Sequence, residues 1–84
     1  MRTIKGFYSD PYGDLYGRLL RMDGGDVVRV PGTRGRLTIH LMPLHGASSK
    51  LDYFLRLRGE YYGQCAQADT MTRKALRVAK EYFS

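Results

Sequence analysis

Two six-residue segments alternate without a break, and they limit what this chain can fold into. In residues 36–41 (RLTIHL), Leu37, Ile39 and Leu41 fall on one side and Arg36, Thr38 and His40 on the other. In residues 53–58 (YFLRLR), Tyr53, Leu55 and Leu57 oppose Phe54, Arg56 and Arg58. Successive side chains of a strand point to opposite faces, so a period of two predicts strands with one face buried and one in water. A helical period follows. Met71, Ala75, Val78, Ala79 and Tyr82 form an apolar stripe, widened by Leu76 and Phe83, behind Asp69 or Thr70 as the capping residue. A sheet with one apolar face and a helix with one apolar stripe each need the other.

The remaining segments are read around that pair. Residues 3–8 (TIKGFY) are a short β-prone run, and 9–14 (SDPYGD) read as a turn, because Pro presets φ and Asp offers local side-chain bonds. Residues 15–22 read as extended, 23–26 (DGGD) as a hairpin turn, 27–30 as a brief β-branched strand and 31–35 (PGTRG) as a loop. One register pairs Leu20 with Val30 and Met22 with Val28, which sets Arg21 opposite Arg29. Pro43 ends the 36–41 strand, 46–50 is a polar connection, and Gly59-Glu60 turns the chain into a last strand over 61–67. The expectation is an α+β fold in one domain over residues 1–84. An antiparallel sheet of about four to five strands carries one C-terminal helix on its apolar face. The expected core sets Val28, Val30, Leu37, Ile39, Leu41, Leu55 and Leu57 against Met71, Ala75, Val78, Ala79 and Tyr82.

Charge is concentrated in the predicted sheet. Residues 27–58 hold Arg29, Arg34, Arg36, Lys50, Arg56 and Arg58 against Asp52 alone, which is +5 of the net +6. Ten of the fourteen cations are Arg, the side chain that grips phosphate and carboxylate in bidentate fashion and stacks on flat rings. The outer face is expected to present Arg29, Arg36, His40, Arg56 and Arg58 around Phe54. An exposed Phe among arginines suits base stacking beside phosphate contacts, although any sheet in water also needs a polar outer face. Arg73, Arg77 and Lys80 would extend the footprint along the helix, or simply solvate it. Tyr8, Tyr12 and Tyr16, with Asp10 and Asp14, read as a loop that either contacts protein or plugs the end of the core.

Other chemistry is thin. His40 and His45 lie five apart across Pro43 with no zinc pattern, DGGD lacks the ligands of a calcium loop, and no glycine-rich segment matches a nucleotide loop. No catalytic residue, metal or cofactor is expected. Cys65 cannot form an internal disulfide and reads as a small, inert, buried hydrophobe. A lone cysteine, the lack of a secretory apolar run at residues 1–9 and the lack of an apolar stretch near ~20 residues point to a cytoplasmic chain without a membrane span.

Residues 52–84 resemble the strand–turn–strand–helix half of small nucleic-acid modules. Gly59, Gly63, Thr72-Arg73-Lys74, Ala75 and Ala79 resemble the end of the double-stranded-RNA-binding domain, where a Gly-containing hairpin leads to a helix opening on a basic pair. The same stretch is similar to the sheet-plus-helix arm-binding domains of tyrosine-recombinase integrases. The first family has an amino-terminal helix where strands are expected here, and the basic pair is out of step with the alanines. The resemblance is one of topology and assigns no family. The expectation is a small non-enzymatic module binding DNA or RNA mainly through phosphates, with low sequence specificity. The alternative is a phage or mobile-element inhibitor or adaptor of the anti-CRISPR type, whose arginines dock on an acidic protein or nucleoprotein surface.

Overall fold

Asp10 starts a helix, not a turn. The computed structural model describes residues 10–44 and 50–83, and its first element is α1, Pro11–Leu20. The Asp10 carboxylate accepts from the Gly13 N–H at 3.2 Å, Pro11 sits where a helix loses nothing by lacking a donor, and Asp14 pairs with Arg18 at 3.4 Å. Gly13 has a steric reason: a Cβ there would stand 2.7 Å from the Asp10 carboxylate and block the cap. The same Asp-Pro pair that favours a turn also favours a helix start, and burial decides between them. Leu15 and Leu19 are wholly buried. The extended reading of 15–22 and the pairing of Leu20 with Val30 are therefore corrected. Arg21 caps the carboxyl end of α1 instead of facing Arg29.

Asp23 to Asp26 then link a helix to a strand. The Asp26 carboxylate accepts from the Asp23 N–H at 2.8 Å, and the Gly25 N–H donates to the Leu41 carbonyl at 2.7 Å. The strands are β1 (Val27–Arg29), β2 (Leu37–Pro43), β3 (Leu51–Leu57) and β4 (Glu60–Cys65), and the last helix is α2 (Ala68–Phe83). They form one antiparallel sheet in the order β1-β2-β3-β4. The fold is α+β, with four strands and a second helix beside the expected one. The expected strand at 3–8, and Tyr8 with it, lie outside the described residues.

Both helices cover the same face. Leu37, Ile39 and Leu41 of β2, with Tyr53 and Leu55 of β3, are buried with Leu15 and Leu19 of α1 and with Met71, Ala75 and Val78 of α2. Val28, Leu57 and Ala79 are only partly buried, and Tyr82 is 46% exposed, so it leaves the expected core. Two ties fix α1. The Tyr53 hydroxyl donates to the Leu19 carbonyl at 2.9 Å, and the Tyr12 hydroxyl donates to the Asp69 carboxylate on α2. Asp69 also pairs with Arg73, and these two partners hold its carboxyl below the usual carboxylate range. Among the described residues no helix is long and apolar enough to cross a membrane.

Candidate nucleic-acid interface

With both helices on one side, the other face of the sheet is left without a cover among the described residues. Register assigns its rows. Arg29, Thr38, Arg56 and Tyr61 are successive cross-strand neighbours, and Val27, His40, Phe54 and Gln64 form the next row. Met42 opposite Asp52 makes a third. Arg29, Phe54 and Arg56 are thus brought together as the alternation predicts.

Tyr61 reaches this face through a β-bulge. Leu55 pairs with Gly63 while Arg56 pairs with Tyr61, so Tyr62 is the extra residue and the alternation of β4 slips by one. A strict period of two back from Cys65, expected in the core, would put Tyr61 on the covered side; it is instead 63% exposed. Its hydroxyl donates to Gln64 Oε1 at 2.9 Å, and Gln64 Nε2 donates to Asp52 at 3.1 Å, which orders the ring at the sheet edge. Tyr62 turns the other way, towards Tyr82, with hydroxyls 3.0 Å apart. No signal in the spacing marks this bulge, although Gly63, with φ +151, is the kind of residue that tolerates one.

Met42, Pro43, Phe54, Arg56, Gly59 and Tyr61 line a shallow groove of about 390 Å³. Two aromatic side chains flank one guanidinium, so a flat ring can lie on carbon while an anion meets Arg56. His40, opposite Phe54, is half-buried. Burial first, and then the charge of Arg56, hold its imidazole below the usual range, so it is neutral at pH 7. Its Nε2 lies 3.1 Å from the Thr38 hydroxyl.

Arg36 and Arg58 do not join that face, contrary to their place in the alternation. β3 and β4 are joined by Arg58 and Gly59 with φ of +54 and +85, the signature of a type I′ hairpin turn. Positive φ takes Arg58 out of the strand and sets its guanidinium 5.8 Å from the Phe83 ring centre. Arg36 precedes β2, where its carbonyl accepts from the Arg58 N–H at 2.7 Å. Both lie at the end of the sheet. Arg34, which the sequence reading left out of the site, is there too.

The remaining expected residues lie on the helix layer. Arg73 is occupied by Asp69, while Arg77 and Lys80 are exposed. Arg73, Lys74 and Arg77 line a second groove with Gln64, Cys65 and Thr70. The Lys74 stem lies over Gly63, where a Cβ would stand 2.5 Å from its Cε. Cys65 is half-buried, not buried, and desolvation pushes its thiol up, while its Sγ donates to the Gln67 carbonyl at 3.5 Å. Tyr12 and Tyr16 stack on each other along α1 at 5.6 Å instead of forming a loop. Comparison of the chain with protein-family models, curated proteins and solved structures finds no match.

Proposed function

We propose that this chain is a non-enzymatic module that binds single-stranded nucleic acid on the open face of its sheet. One observation carries the reading: Phe54 and Tyr61 flank Arg56 on a face that neither helix of the described residues covers. Unpaired bases stack on the two rings, because every base has a π-face and paired bases keep theirs inside the duplex. Arg56 and Arg29, in the same cross-strand row, take backbone phosphates. The net charge of +6 steers the polymer in from a distance. Base-edge readers are few, since Gln64 is occupied by Tyr61 and Asp52, so the module discriminates poorly between sequences.

Anisotropy titration of labelled oligothymidylate, oligouridylate and a DNA duplex at several salt concentrations tests this. The expected result is tighter binding to single strands, weakening steeply with salt. Arg56→Ala lowers affinity for all of them and flattens the salt slope by about 0.7–1, the loss of one phosphate contact. No retention at low salt, with capture of one acidic protein instead, would replace this reading by the inhibitor or adaptor.

A further inference from the structure

The end of the sheet where β2 begins and β3 turns into β4 holds a second arrangement, whose arginines are not those of the open face. Here the chain makes two Arg-Gly corners. Arg34 and Gly35 have φ of +56 and +76, and the Arg36 N–H closes that turn on the Thr33 carbonyl at 2.9 Å. Arg58 and Gly59 have φ of +54 and +85 in the β3–β4 hairpin. Such turns favour Asn, Asp or Gly at their first central position, because a larger side chain is strained at positive φ. Both corners use Arg.

The two strained arginines line one hollow of about 290 Å³ together with Arg36, Gly32, Tyr82 and Phe83. No carboxylate is among the described residues that line it, and the ion pairs among the described residues, Arg18–Asp14 and Arg73–Asp69, involve none of these three arginines. The backbone bond from Arg58 to Arg36 fixes two of them side by side, and Phe83 holds the Arg58 guanidinium at 5.8 Å. Thr33, wholly buried, anchors the other corner by donating to the Val30 carbonyl at 2.7 Å. Three like charges on rigid turns repel one another until an anion enters. Strain that persists on such a scaffold is a pointer to a site.

We infer that this three-arginine hollow binds a phosphomonoester, the terminal phosphate of a strand or a small free phosphate ester. A phosphomonoester carries about −1.5 to −2 charges and three acceptor oxygens at neutral pH, which matches three forked guanidiniums. A carboxylate or an internal phosphodiester offers a single charge and fewer free oxygens.

The test titrates inorganic phosphate against chloride at matched ionic strength while following the arginine side-chain Nε–H resonances. The wild type shows a saturable response confined to Arg34, Arg36 and Arg58. Arg34→Asn with Arg58→Asn converts both corners to Asn-Gly, the pair such turns prefer. This double variant melts no lower than the wild type and binds phosphate at least about tenfold more weakly. Arg36→Ala weakens it in the same direction. A wild-type response no larger than that to chloride, or a double variant that binds phosphate equally well, overturns the inference. The source is read from oligothymidylate with and without a 5′ phosphate. A preference for the phosphorylated strand that the double variant loses assigns the site to strand ends. Equal affinity with the phosphate response intact assigns it to a free phosphate ester. Failure of both oligonucleotides to bind would sink the open-face reading and leave the phosphate response standing.

Discussion

The two faces of the sheet share their strands and differ in what they do with carbon. On the helix side, Leu37, Ile39, Leu41, Tyr53 and Leu55 are no more than 9% exposed, and two helices supply the covering surface. That face is explained by burial alone, at roughly 25 cal/mol for each Å² of apolar surface removed from water. On the other side, Val27, Met42 and Tyr61 are 51%, 39% and 63% exposed beside a half-buried Phe54. A face needing only solubility would carry polar groups there, and single exposed apolar residues would need no account. Several on one face, set among Arg29, Arg56 and His40, keep apolar surface in water that a bound base would cover.

The contrast predicts that mutations on the two faces separate stability from binding. Ile39→Ala removes a wholly buried side chain and costs about 2–5 kcal/mol in denaturant unfolding, a large share of a small domain's stability. A cost below about 1 kcal/mol would break the assignment of that face to the core. Phe54→Ala, one strand over and facing the other way, costs roughly 1–3 kcal/mol in affinity for single strands, little for duplex, and under about 1 kcal/mol in stability. Tyr53→Phe, back on the covered face, loses the bond that pins α1 to the sheet. It lowers stability by about 1 kcal/mol and leaves oligonucleotide affinity alone.

The smallest effect is on pH, and its sign differs between folding and binding. His40 in the fold releases its proton more readily than in the unfolded chain. The unfolded state therefore binds more protons as pH falls below about 6.5, and stability declines there. A bound phosphate near Arg56 and His40 reverses the balance, so affinity for single strands rises over the same interval. His40→Gln removes both slopes, which melting curves and anisotropy at a series of pH values would show.

The covered face was legible because a one-residue slip in β2 or β3 would move the buried Leu37, Ile39, Leu41 and Leu55 into water. The same alternation located Arg29, Phe54 and Arg56. It failed where local backbone departs from the strand. Arg58 leaves the face through positive φ, and Tyr61 joins it through a bulge; neither is visible in a count of twos. The residues of α1 failed for another reason. Asp10 and Pro11 are as good at opening a turn as a helix, and Gly13 and Gly17 each weaken helix propensity by about 1 kcal/mol. Only the burial of Leu15 and Leu19 against α2 and the sheet resolves the choice. The loop at 31–35 and the turn at Gly59-Glu60 were read correctly, but Arg34 and Arg58 themselves sit at positive φ inside those turns, which reading Arg as charge alone leaves out.

The open-face account is tested most directly by backbone amide NMR of the folded chain titrated with a short oligothymidylate at low salt. It predicts shifts concentrated at Thr38, His40, Phe54, Arg56 and Tyr61, reversed by added salt, with Leu15, Leu19 and Val78 of the helices unmoved. Shifts confined to Arg73, Arg77 and Lys80 on α2, or no shifts at any concentration, would contradict it.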